Sequence, residues 1–202
     1  MGLNGNRQAY VTAYLDRLHG VLRSLPVDDL ADALQLLEEA HVQKRQVFLA
    51  GNGGSAATAS HMANDFLKGV ATGDKPGLRA IGLADNVPLV TAIANDEGYE
   101  NVFAHQLSAL AQPGDLLVVL SGSGNSPNIV QAVETARKLG MTTIAFLGMG
   151  GGKAAKMAEV SIIVPSDDYG PIEATHLIFD HLITAYLHSW LEKGHGTGGA
   201  VT

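Results

Sequence analysis

From residue 46 onward the chain alternates short apolar runs with longer helical stretches, and this rhythm constrains the fold more than any other feature. Gln46 to Ala50, Leu78 to Leu83, Asp115 to Leu120, Thr142 to Leu147 and Val160 to Val164 lack clean polar alternation, as expected of strands covered on both faces. Helical stretches at roughly 55–69, 87–95, 103–111 and 127–139 fill most of the gaps. Strands that alternate with helices need crossover connections, so the sheet is parallel. The expected fold class is α/β: a three-layer sandwich with a parallel sheet of about five strands, flavodoxin-like rather than a barrel.

Helices flank this unit. Val11, Tyr14, Leu15, Leu18, Leu22 and Leu25 recur at steps of three and four before Pro26, and Leu30, Leu34 and Leu37 repeat the pattern. This predicts an N-terminal helical pair over 1–45, packed on the core or on a neighbouring subunit, ahead of the main domain at 46–193. A last helix from about Pro171 to Lys193 is apolar on most sides, with Ile172, Phe179, Ile183, Leu187 and Trp190 among its residues. A helix apolar nearly all round is buried nearly all round, which in so small a domain implies a second copy of the chain and hence a homo-oligomer. Residues 194–202, glycine-rich, are expected to form a flexible tail.

Composition narrows the chemistry. With 202 residues, 46% of them hydrophobic and 16% charged, the chain suits one globular domain. Thirteen basic against twenty acidic residues leave a net charge of -7, which disfavours direct nucleic-acid binding. The absence of cysteine excludes disulfides and thiol nucleophiles and leaves His, Asp, Glu or amide groups as metal ligands. The N-terminus lacks a basic and then apolar leader, and no apolar run approaches the ~18 residues of a membrane span, so a soluble, cytoplasmic protein is expected.

Two loops carry ligand-binding character. Gly51-Asn52-Gly53-Gly54-Ser55 follows the first strand, and Ser121-Gly122-Ser123-Gly124-Asn125-Ser126 follows the third; each leads into a helix. Glycines admit close backbone approach, helix N-termini attract anions, and serine hydroxyls donate hydrogen bonds, which together describe a phosphate cradle. The first loop also satisfies a relaxed dinucleotide fingerprint, yet the nearest downstream acid, Asp74, precedes the second strand instead of ending it. One small phosphate fits better than a dinucleotide.

These loops, with Ser60-His61-Met62-Ala63-Asn64-Asp65, Asn95-Asp96-Glu97-Gly98-Tyr99, Ile172-Glu173 and the stretch from His176 to His181, resemble the sugar isomerase (SIS) domain, within it the phosphoheptose isomerase branch. The resemblance covers roughly residues 8 to 192. It implies conversion of sedoheptulose 7-phosphate to D-glycero-D-manno-heptose 7-phosphate in a homotetramer with active sites at subunit interfaces. It also implies metal ligands at His61, Asp65, Glu173 and His181, zinc being the expected ion, and catalytic roles for Asp65, His181 and Glu173. Substrate contacts fall on Asn52, Gly53, Gly54, Ser55, Asp65, Asn95, Asp96, Ser121, Gly122, Ser123, Ser126 and Glu173.

Two positions depart from the family pattern: Asp65 replaces the usual glutamate, and Glu173 the usual glutamine. The shorter carboxylate has less reach, which Glu173 would offset by binding metal or by acting as the base. Residue spacing adds its own view. His61 and Asp65, four apart on one helix, project from one face. Glu173 and His181 lie eight apart, about 12 Å along a continuous helix, so one ligand could come from a neighbouring subunit. Spacing alone favours the stripe Glu173, His176 and Asp180. The competing functions are a non-catalytic SIS adaptor, such as a replication-initiator-binding or sugar-phosphate-sensing protein, and an isomerase for another sugar phosphate.

Overall fold

The computed structural model describes residues 7–196. Five parallel strands, β1 (Gln46–Gly51), β2 (Arg79–Gly82), β3 (Leu116–Ser121), β4 (Thr142–Leu147) and β5 (Val160–Ile163), form one sheet in the order β2-β1-β3-β4-β5. This is the flavodoxin-like arrangement expected above. Successive residues of the central strands serve two cores: Val47, Leu49, Val118 and Phe146 face one side, and Phe48, Ala50, Val119 and Leu147 the other. That division explains the continuous apolar runs. Strand β2 is the exception, since Arg79 and Ile81 are exposed on an edge whose outer face is only half covered.

Helices α1 (Arg7–Arg23), α2 (Val27–Val42), α3 (Gly54–Asn64) and α7 (Tyr169–Glu192) lie on the first face; α4 (Val87–Asp96), α5 (Ala104–Leu110) and α6 (Pro127–Lys138) lie on the second. Helix α2 inserts Leu30, Ala33, Leu37 and Ala40 into the core. Helix α1 contributes Val21 alone as a buried residue and is tied to the start of α7 by the Arg17–Asp168 ion pair at 3.2 Å. The stripe read as a packing face is covered only in part: Tyr14, Leu18, Leu22 and Leu25 are half-buried, whereas Val11 and Leu15 are 55% and 57% exposed, as is the neighbouring Tyr10 at 67%. On α7, Ile178, Leu182 and Tyr186 form a second exposed apolar stripe at steps of four, so burial within one chain covers one side of this helix only.

The helix expected at 55–69 changes character midway. After Asn64 it widens into a π-helical turn, Asp65–Gly69, closed by the Val70 N–H donating to the Asp65 carbonyl. The Phe66 carbonyl accepts from Leu78 N–H at 2.8 Å, joining the turn to the approach to β2. Gly69 permits close contact with α7: a Cβ there would lie 2.9 Å from Thr184 Cγ2. Of the tail expected from Gly194, the His195 ring stacks on Trp190 at 5.8 Å, and residues 197–202 lie outside the described residues. Among the described residues, no helix is long and apolar enough to cross a membrane.

Candidate active site

The chain reverses direction across the sheet between β1 and β3, and the loops leaving these strands border the crevice where open α/β sheets bind ligands. Gly51 is required because a Cβ would lie 2.5 Å from the Ser55 carbonyl. Gly124 combines a φ of +63° with a backbone approach that places a hypothetical Cβ 2.0 Å from the Gly151 oxygen. Two residues distant in sequence lock the loops together. Asn52 Nδ2 donates to Asn128 Oδ1 at 2.9 Å and Asn128 Nδ2 donates to Asn52 Oδ1 at 2.7 Å, while the Tyr99 hydroxyl donates to Asn52 Oδ1 at 2.9 Å.

Between the loops lies a cavity of about 140 Å³ lined by Asn52, Ser55, Leu120, Ser121, Gly122, Ser123, Ser126, Tyr169 and Glu173. Seven of the residues expected to contact substrate thus meet in one place. Ser121 Oγ accepts from Gly124 N–H and Ser123 Oγ from Asn125 N–H, so each hydroxyl proton remains available to a ligand. Ser126 flanks the N-terminus of α6, where Pro127 begins the helix, and makes no capping bond of its own. Gly54 lets the Glu173 carboxylate approach, since a Cβ would come 2.8 Å from Glu173 Oε2. Asn95 and Asp96 are elsewhere: exposed at the end of α4, paired Asn95 Nδ2 to Asp96 Oδ1 at 2.7 Å, and not part of this lining.

A second constellation forms where α3 and the π turn meet α7. Donor atoms of His61, Asp65, Asp180 and His181 lie within 4.8 Å of one another. His61 Nε2 is 3.4 Å from Asp65 Oδ2 and 3.8 Å from Asp180 Oδ2, and the His61 and His181 rings meet at 5.4 Å. His61, Asp65 and His181 were expected here; Glu173 is not among the four, and Asp180 is. The side chain of Asp180 is fully buried, Oδ2 has no hydrogen-bond partner, and its carboxyl is pushed up to about 6 by burial, reinforced by the charge of Asp65 and opposed by the nearby imidazoles and Thr184. Two imidazoles and two carboxylates make an acceptable shell for zinc or a similar divalent ion, so the donor set fits a metal.

The stripe Glu173, His176 and Asp180 fans apart. Glu173 enters the serine cavity, Asp180 joins the histidines, and His176 enters the core beside Phe146 and Phe179. Sequence reading did not single out Asn128 or Tyr169. Tyr169, two residues before Pro171, crosses Gly122 so closely that a Cβ there would lie 2.6 Å from Tyr169 Cε1.

A family model of the SIS domain matches residues 9–148. A phosphoheptose isomerase from Sulfurimonas denitrificans is 45% identical over 139 residues, covering 69% of this chain and 71% of its own. The chain belongs to the SIS-domain phosphoheptose isomerase family. A phosphoheptose isomerase from Burkholderia pseudomallei is 38% identical over 184 residues, 88% of this chain and 93% of that protein. The structure of phosphoheptose isomerase from Neisseria gonorrhoeae superposes with a TM-score of 0.84 at 31% identity, over 91% of this chain and all of that one. The similarity to phosphoheptose isomerases therefore extends beyond the loops to the helices that carry the histidine and carboxylate cluster.

Proposed function

We propose that this SIS-domain protein is an aldose–ketose isomerase converting sedoheptulose 7-phosphate to D-glycero-D-manno-heptose 7-phosphate. The observation that carries the reading is the joint presence of a serine-lined anion cavity and an imidazole–carboxylate cluster in a chain similar to phosphoheptose isomerases. The acid/base groups favour an enzyme over a non-catalytic adaptor. Ser55, Ser121, Ser123 and Ser126 hold the phosphate. At the other end of the open-chain sugar, a carboxylate removes the proton from C1 and returns it to C2, while an imidazole moves the proton between the hydroxyl and carbonyl oxygens. Asp65 and His181 take these roles, and Glu173 assists from the cavity. A divalent ion held by His61, Asp65 and His181, zinc being the first candidate, would polarise the carbonyl and stabilise the enediolate.

The same reading places Asn95 and Asp96 at the sugar hydroxyls and the protein in the cytoplasm, where phosphorylated sugars are retained. The 1–45 helical pair and 46–193 domain then form one protomer of a homotetramer. The exposed apolar stripes of α1 and α7 are its packing surfaces. His181 lies between Ile178 and Leu182 on α7, which brings the active site to that interface. Sedimentation equilibrium should give four chains per particle, and a monomer at working concentration would overturn the assembly.

Incubation with sedoheptulose 7-phosphate should yield the aldose product. Failure to form any, with the substrate demonstrably bound, would reduce the protein to a binding module. In the same assay Ser123→Ala should raise KM about tenfold, the loss of one hydrogen bond to a charged group, and leave kcat within a few-fold. An unchanged KM would remove Ser123 from phosphate binding.

A further inference from the structure

We propose that Asp180 is the fourth protein ligand of the divalent-metal site, in the role the family resemblance gives to Glu173; this inference rests on the metal-assisted reading above. The first argument is burial. Asp180 lies on α7 between the core residues Phe179 and Ile183, its side chain wholly inaccessible, with Thr184 Oγ1 approaching Oδ1 at 3.5 Å and nothing bonded to Oδ2. A carboxylate so placed is strongly unfavourable unless a cation faces it, and Asp65, part of the same cluster, adds repulsion.

The second argument is distance. Four ligands at about 2.0–2.1 Å from a tetrahedral ion stand about 3.3 Å from one another. The separations of 3.4 Å from His61 Nε2 to Asp65 and 3.8 Å to Asp180 are already near that value. Glu173 belongs to different surroundings. It is partly exposed, lies against the backbone of Gly54, lines the serine cavity, and starts two helical turns before His181.

The consequence concerns both carboxylates. Asp65 and Asp180 together supply two negative charges to a divalent ion, so the shell is charge-balanced without Glu173. Glu173 then keeps a free carboxylate in the cavity that holds the substrate.

Metal binding can be read without turnover. The protein is stripped with chelator and titrated with Co(II), following visible absorption and the dissociation constant by calorimetry. Wild type should take one ion per chain. Asp180→Asn should weaken Co(II) binding by about 10- to 100-fold or more and change the absorption spectrum, whereas Glu173→Ala, which leaves no ligand atom at that position, should stay within about twofold with an unchanged spectrum. Metal-free Asp180→Asn should melt no lower than metal-free wild type, because the substitution removes an uncompensated buried charge. Wild-type affinity in Asp180→Asn, or a large loss in Glu173→Ala, would overturn the assignment while leaving the metal reading standing. Wild type that binds no Co(II) would overturn both. Should Asp180→Asn not fold, the Glu173→Ala titration still decides: retained affinity supports the assignment and a large loss overturns it.

Discussion

Asp65→Asn should lower kcat for isomerisation of sedoheptulose 7-phosphate by about 10²- to 10⁴-fold, with substrate affinity changed by no more than a few-fold. The amide is nearly isosteric but cannot accept a carbon-bound proton. The serine cavity does not include Asp65, so the phosphate grip should survive. Position supports the role: Asp65 opens the π-helical turn, and its carboxylate faces His61 at 3.4 Å while remaining partly accessible to a ligand. Turnover is measured in single-substrate assays at saturating divalent metal, which separates loss of the base from weakened metal binding, and affinity by calorimetry. Retention of wild-type kcat would remove Asp65 from proton transfer, and Glu173 would become the base.

The strands were legible because β1, β3 and β4 feed apolar side chains to both faces, a pattern that needs no knowledge of partners. The two loops were legible because glycine and serine concentrate where strands meet helices. Less of the cluster could be read. Helical periodicity places Glu173, His176 and Asp180 near one stripe but says nothing of what packs there, and the structure sets a cavity, a pair of phenylalanines and a histidine against the three in turn. The π turn ends where Gly69 meets Thr184 tightly, a contact between distant segments that local periodicity does not report. The Asn52–Asn128 pair spans 76 residues and has no local signature. On α1 the amphipathic pattern was clear, yet only its C-terminal part, with Val21 and, just beyond the helix, Leu25, reaches the core of the same chain, while Val11 and Leu15 stay exposed.

Below neutral pH, His176 should cost the fold stability. The ring is buried beside Phe146 and Phe179, its Nε2 is 3.4 Å from the Leu147 carbonyl, and its Nδ1 has no partner. Burial lowers its pKa from 6.5 to about 4, with the Leu147 carbonyl pulling weakly in the other direction. Above pH 6.5 neither folded nor unfolded chain carries this proton. As the pH falls from 6.5 toward 4 the unfolded chain takes it up and the native chain does not, so stability falls; below about 4 both are protonated and the loss is complete. At 1.36 kcal/mol per pKa unit, the full loss is about 3 kcal/mol. His176→Leu abolishes this titration and leaves the Leu147 carbonyl bonded to Val164 N–H at 2.8 Å. Urea denaturation of both proteins, each stripped of metal, from pH 7.5 to 4.5 should show the variant gaining about 2–3 kcal/mol on wild type as the pH drops. Taking the difference between the two cancels the titration of other groups, including the opposing one of Asp180. Parallel stability profiles would mean that the buried imidazole accepts its proton inside the folded protein, and that the pocket around Phe146 and Phe179 admits water.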